Sequence, residues 1–367
     1  MKIAQVVHTF PPETGGIENH AYYLSVELAK QGHEVTVYTS RAKGAKGKEA
    51  TNGIRIVRAW SLPFLNFSSV RISPTLIFHL LRSDAEVFHS HGYGSLHPLI
   101  ASIAAFLKRK PFVFTFHGYP QMKGRAKTLQ KIYKRLIAPI FLRIAKHMIS
   151  VADATIDDFR DEVDIRKVTT IANGVEFDVF KCPPLQGQVI SYIGRLDEYK
   201  GIDVLVSAFS RVKKQFPDAK LRIIGKDEGI RKDLERYAKE LGVEAEFTEA
   251  KREEMPAYYS SSAVIVLPSR YEGLSLVLLE SIASERPIFT TKVGASPRVL
   301  RRVLGGEGKT YLFDTEKELV EKISDVLSNP EKYRQIAAKG REGAMKEYSW
   351  TKAAEKTIEV YNKVLGR

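Results

Sequence analysis

The 367-residue chain predicts an α/β protein built from two parallel-sheet domains. Three observations lead there. The length exceeds the roughly 250–300 residues at which a single hydrophobic core stops growing. Apolar strand-like runs alternate with helical patterns along the chain, the rhythm of βαβ units. Between Asn173 and Gln188 that rhythm is broken by Asn173-Gly174, Pro183-Pro184 and Gly187, turn formers and helix breakers that mark a linker.

In order, strands are predicted over residues 2–8, Glu34 to Thr39, Ile54 to Arg58, Val87 to His89, Phe112 to Phe116, His147 to Val151 and Val168 to Ile171. A helix is predicted over about 17–31. The first sheet is complete by about residue 172, giving a domain over 1–172. A second domain, 173–350 including the linker 173–188, has predicted strands at Val189 to Ile193, Leu221 to Ile224, Ala245 to Thr248, Val264 to Leu267 and Ile288 to Thr290. The last helix, Thr351 to Leu365, follows Trp350, and periodicity alone does not assign it to either domain.

A hydrophobic fraction of 44% and a charged fraction of 27% are those of an ordinary globular protein, without the low-complexity tracts of disorder. Cys182 is the single cysteine, so no intrachain disulfide is expected and a reducing cytosol is the expected setting. The opening apolar run reads as a buried strand, being too short for a signal peptide. Longer apolar stretches are broken by proline or charge, as at Pro139 and Arg143, so no bilayer span is expected. The net charge of +14 is uneven, because residues 1–181 hold 25 of the Lys/Arg but only 15 of the acids. Its densest run, 123–147, carries Lys123, Arg125, Lys127, Lys131, Lys134, Arg135, Arg143 and Lys146 with no acid, a polybasic helix suited to anionic lipid or an acidic acceptor. No nucleic-acid-binding module accompanies the charge.

Several turns carry candidate chemistry. Gly15 and Gly16 follow the first strand at a helix start, where backbone can approach a ligand. The strand Phe112 to Phe116 runs into His117-Gly118, placing His117 at a carboxyl sheet edge, where open α/β folds bind ligands. His89 and His91 are less pointed, and the spacing of these three histidines is not that of a zinc site. Gly194-Arg195-Leu196-Asp197-Glu198-Tyr199-Lys200-Gly201 puts a guanidinium and an ammonium around one βα turn, a pairing suited to a diphosphate leaving group without metal. In Pro268 to Ala283, Glu272 lies in a loop ahead of a mostly apolar helix bearing Glu280. A buried carboxylate at Glu280 requires partners, which vicinal sugar hydroxyls or a structural ion pair would supply. Gly273, Leu274 and Ser275 present backbone N–H groups at that helix start.

With these residues in place, the chain resembles family 4 of the retaining glycosyltransferases, which have the GT-B fold of two Rossmann-like domains facing across a cleft. The resemblance covers essentially the whole chain. It rests on Gly15-Gly16, Phe116-His117-Gly118, Asn173-Gly174-Val175, Gly194-Arg195-Leu196 with Lys200-Gly201, and Glu272 with Glu280, in order. It implies transfer of a hexosyl group from a nucleoside diphosphate sugar to a glycan or lipid-linked acceptor, with retention and with no cofactor or metal required. It further implies that Arg195 and Lys200 bind the pyrophosphate, Glu280 the ribose and Glu272 the hexose, with His117 near the reacting centre. Asn173, Gly194 and Gly273 to Ser275 complete the implied donor site, and the helix 351–367 is implied to return to the first domain. Departures from the family pattern fall at Gly294-Ala295-Ser296-Pro297-Arg298, where a glycine and an acid are replaced, and at Phe247 to Ala250, where a glycine is absent. The competing readings are a non-catalytic sugar-nucleotide or membrane-surface binding protein, and a GT-B epimerase or phosphorylase. A nicotinamide dehydrogenase is disfavoured because neither first turn has the dinucleotide glycine spacing.

Overall fold

A computed structural model of the chain describes residues 1–13, 15–42, 44–64, 67–118, 124–183 and 187–367, with backbone alone for 63–64, 67–71 and 124–126. The chain divides into two compact units, Met1–Asn173 with Trp350–Arg367 (unit 1) and Gly174–Ser349 (unit 2).

Unit 1 contains strands β1 (Lys2–Val6), β2 (Glu34–Ser40), β3 (Lys48–Thr51), β4 (Ile54–Ala59), β5 (Leu62–Phe64), β6 (Phe67–Ile72), β7 (Val87–His91), β8 (Phe112–Phe116), β9 (His147–Ser150) and β10 (Val168–Thr170). Its main sheet has the order β10-β9-β8-β7-β1-β2-β4-β3, all parallel except β3, which runs antiparallel to β4. Strands β7 and β8 are buried at every residue, as parallel strands covered on both faces must be. The order reverses between β1 and β7: the chain winds outward from β1 through β2, then returns to β7 on the other side. Helix Gly16–Lys30 leaves the sheet edge near this point, and the final helix, Trp350–Leu365, packs on it, with Trp350 stacked on Tyr23 at 5.5 Å between ring centroids.

Unit 2 contains β11 (Val189–Ile193), β12 (Lys220–Ile224), β13 (Ala245–Thr248), β14 (Val264–Leu267), β15 (Ile288–Thr291) and β16 (Leu312–Phe313). Their order, β13-β12-β11-β14-β15-β16, is wholly parallel and reverses between β11 and β14. Such reversals are where open α/β sheets bind ligands, outside the carboxyl ends of the strands.

Differences from the sequence reading have local causes. The stretches 41–52 and 60–73, for which no strand is predicted, contain β3 and the β5–β6 hairpin. Lys48–Thr51 is exposed throughout, a charged edge strand with no apolar alternation to betray it. Strand β7 continues two residues past His89 and includes His91. The basic segment is an α-helix over Gly124–Ile132, a π-turn over Tyr133–Ile137 and a second α-helix over Ala138–Ile144. Among the described residues, no helix is long and apolar enough to cross a membrane.

Candidate active site and family

In unit 2 the turns leaving β11 and β14 are stitched together. Arg270 donates its backbone N–H to Tyr199 O at 2.7 Å and Nη1 to Glu198 O at 2.7 Å. Gly201 lies at φ +63°, and a Cβ there would fall 2.1 Å from the Pro268 carbonyl oxygen, so only glycine allows the two turns this close. The approach brings Lys200 Nζ to 2.6 Å from Glu272 Oε1, which also accepts from Ser269 Oγ at 2.9 Å. Both side chains of the pair are under a fifth exposed, so little water screens them. Tyr192 is buried beneath, its hydroxyl donating to Arg195 O at 2.7 Å; burial, then the charges of Glu272 and Asp197, push its pKa well above the usual phenol range. The Arg195 guanidinium is 61% exposed, 3.4 Å from Asp197 Oδ2, and the carboxylate's other oxygen accepts from Tyr199 N–H.

The segment that departs from the family pattern packs closely on this turn. Gly294, at φ +56°, would with a Cβ meet the carbonyl oxygens of Glu272 and Gly273 at 2.3 and 2.5 Å, and Ala295 N–H donates to Gly273 O at 2.9 Å. Pro297 opens the following helix, Ser296–Leu304. Ser275 caps its own helix, Leu276–Ala283, accepting from Leu278 N–H, while Leu274 is buried. A cavity of about 360 Å³ beside these turns, lined by Ser269, Arg270, Thr291, Lys292, Asp314 and Glu316 among others, takes in none of the predicted donor residues.

Glu280 is buried as expected, at 4% exposure, but its partners come from the protein. Arg252 ion-pairs with Oε1 and Tyr259 Oη donates to Oε2 at 2.7 Å. The Arg252 guanidinium also lies 4.8 Å above the Phe180 ring and 3.7 Å from Glu176. Of the two partner sets left open for this carboxylate, the structure forms the ion pair, and sugar hydroxyls are not needed to satisfy it. Asn173 is likewise committed: its Oδ1 accepts from His20 Nδ1–H at 2.7 Å, within unit 1.

Elsewhere in unit 1 the placement is mixed. Gly15 is extended, and a Cβ there would strike the Glu18 carboxylate, which itself accepts from Thr9 Oγ1. An acid thus already occupies the helix start where a ligand was expected to approach the backbone. Gly16 faces open space. His117 follows β8 and its Nε2 lies 3.4 Å from His91 Nδ1, while His20, from the helix Gly16–Lys30, packs edge-on against it at 4.6 Å between centroids. Histidines that look dispersed along the chain therefore meet. His20 escaped notice because nothing in a helical His four residues after a glycine names its distant neighbours. Burial lowers His20 to about 4 and holds His91 and His117 well below the ordinary imidazole range, so all three rings are neutral at pH 7. In the basic segment Lys127, Lys131 and Arg135 are exposed, and Lys134 pairs with Glu162 at 2.9 Å. Lys123 and the side chain of Arg125 lie outside the described residues.

Two family models together match residues 14–343. Residues 14–179 match Glycosyltransferase Family 4 and residues 180–343 match Glycosyl transferases group 1. The glycogen synthase of Mycobacterium tuberculosis is 25% identical over 98% of this chain and 94% of its own length. Among solved structures, sucrose-phosphate synthase from Thermosynechococcus elongatus superposes with a TM-score of 0.81 at 19% identity, covering 100% of this chain and 99% of that one. HepE from Anabaena, in complex with UDP-glucose, superposes at 0.79 with 16% identity, covering 99% and 100%. At those identities the structures speak for the fold alone. The two family models together show that this chain belongs to the family 4 glycosyltransferases of the GT-B fold.

Proposed function

We propose that the protein moves a hexosyl group from a nucleoside diphosphate sugar to a glycan or lipid-linked acceptor with retention of configuration. The observation that carries this reading is the Lys200–Glu272 pair at the β11/β14 reversal, with the Arg195 guanidinium exposed beside it. Lys200 and Arg195 neutralise charge that grows on the diphosphate as the glycosidic C–O bond breaks, the kind of stabilisation that is largest where water is excluded. Glu272, fixed by Ser269 and Lys200, accepts from hexose hydroxyls and orients the ring. The departing phosphate oxygen takes the acceptor's proton on the face it leaves, so the new bond forms on that same face. No metal is required for this charge balance. Glu280 is assigned to the ribose only as a shared role, through lone pairs that Arg252 and Tyr259 leave unused. Because HepE was solved with UDP-glucose, that donor is the first to test. Product anomers from an α-linked donor are read by proton NMR: an α-linked product is expected. A β-linked product overturns retention. Binding without turnover across an acceptor panel favours the non-catalytic reading, and a sugar phosphate or an epimerised donor favours the phosphorylase or epimerase.

A membrane-surface role for unit 1 is favoured by one further observation. Leu129, Ile132, Leu136 and Ile140, spaced three and four apart, are 42–62% exposed along the same helical segment as Lys127, Lys131 and Arg135. Apolar side chains left in water beside cations fit an interfacial helix, each cation contributing about 1 kcal/mol near an anionic bilayer. Co-sedimentation with phosphatidylserine vesicles, lost in Leu136→Glu and absent with neutral vesicles, is the expected result; equal recovery with both vesicle types removes the membrane role.

A further inference from the structure

The linker stretch 174–183, which belongs to unit 2, folds as neither helix nor strand, and its regular pairing is a single bridge from Val175 to Ser349. Backbone carbonyls without a ladder must find other donors, and here arginines supply them. Arg341, on the helix Pro330–Met345, donates Nη2 to Phe177 O at 3.0 Å and lies 5.5 Å over the Phe177 ring. Arg286 donates Nη2 to Pro183 O at 2.6 Å. Arg252 lies 4.8 Å over the Phe180 ring and 3.7 Å from the Glu176 carboxylate. Arg286 is buried, and the side chains of Arg341 and Arg252 are no more than a fifth exposed. Cations so far withdrawn from water are costly unless each guanidinium is engaged on every side.

The other arm of each guanidinium leads to Glu280. Arg252 ion-pairs with its Oε1 directly. Arg286 Nε donates at 2.9 Å to the carbonyl of Tyr259, whose hydroxyl donates to Glu280 Oε2 at 2.7 Å. Arg341 Nη1 donates to Ala283 O, at the carboxyl end of the helix Leu276–Ala283 that carries Glu280. The Phe180 ring also meets Tyr259 edge-on, at 5.3 Å between centroids. Three arginines from three separate places in the chain thus bridge the linker to one carboxylate, directly or through one further residue. A planar fork that donates from more than one edge can hold two segments at a set separation, which an ammonium on a flexible stem does not.

We propose that the linker 174–183 belongs to the donor-binding machinery: Arg252, Arg286 and Arg341 strap it to Glu280 and act as positioning residues, holding the unused lone pairs of that carboxylate toward the donor's pentose. The inference rests on the donor reading of unit 2 and adds to it the residues that set the geometry of one contact. With Arg252 on one oxygen and Tyr259 on the other, Glu280 has little freedom to choose a direction, and its orientation is that of the strap. Coupling between two sites is reciprocal, so a nucleotide held by Glu280 must in turn tighten the linker. The strap lies wholly within unit 2.

The test titrates UDP, GDP and ADP calorimetrically into the full chain and into Arg341→Lys and Arg341→Met, with thermal melts to establish that each variant is folded. The nucleotide that binds the parent protein should bind Arg341→Met roughly 5–150-fold more weakly, the range of coupling between separated sites. Arg341→Lys, which keeps the charge without the two-sided fork, should fall between. In the parent protein the same nucleotide should slow amide hydrogen exchange across residues 176–183, a response that a merely structural strap would not give and that needs no variant to fold. A parent protein that binds none of the three nucleotides overturns the donor reading and this inference with it. Nucleotide binding to folded Arg341→Met at parent affinity, or exchange over 176–183 unmoved by a nucleotide that binds, overturns the strap and leaves the donor reading standing.

Discussion

Units 1 and 2 each run a central strand, β1 and β11, up to a point where a parallel sheet reverses its order, and each gathers polar side chains there. At β1/β7 the gathered groups are neutral and mostly buried: His20, His91, Gln5 and Asn173, with His117 half-buried. At β11/β14 they are charged and partly open: Lys200, Glu272 and Arg195. The same topology thus presents imidazole lone pairs in one unit and a cation–carboxylate pair in the other. Topology chooses the place, and residue type chooses the ligand. An ammonium and a guanidinium suit phosphate oxygens, whereas neutral imidazoles suit hydrogen bonding.

The largest effect that sharpens this contrast is at Lys200. Lys200→Met removes the buried charge and should lower kcat/KM for transfer by about 10²–10³-fold, the range for losing one preorganised transition-state contact. Steady-state kinetics with saturating acceptor check it, and a loss under fivefold would make the pair structural. Next comes Glu280. Because the structure pairs it with Arg252, Glu280→Ala should destabilise unit 2 by roughly 3–5 kcal/mol, a melting-temperature drop on the order of 10 °C. Arg252→Met with Glu280→Met should cost less than the two single changes summed. A melt unchanged by Glu280→Ala, accompanied by lost donor affinity, would make the ribose its main partner in place of Arg252. The smallest effect is at Arg195, where exposure leaves stability within about 0.5 kcal/mol in Arg195→Ala. Donor affinity should nonetheless fall by roughly tenfold, the share of one charged hydrogen bond.

What the residues alone disclosed follows a physical division. Buried parallel strands were legible because their apolar runs are uninterrupted, as in Phe112 to Phe116 and Val264 to Leu267, and turns because glycine is demanded where backbones touch, as at Gly201. Lys200 and Glu272 were legible as chemistry, but their mutual contact was not, since 72 residues separate them. The partners of Glu280 lie 21 and 28 residues upstream, at Tyr259 and Arg252, in a segment with no recognisable pattern. A buried carboxylate announces that it needs partners without naming them. The histidine cluster was hidden for the same reason: its rings come from one helix and two strand ends, which no local spacing connects.

The most direct measurement is a calorimetric titration of UDP-, GDP- and ADP-sugars into the parent protein and into Lys200→Met. The account predicts that one donor class binds the parent protein and binds Lys200→Met at least tenfold more weakly, with both proteins melting as single folded species. Equal donor binding by the two proteins, or no heat from any donor, would contradict the assignment of the β11/β14 turn to a nucleotide diphosphate.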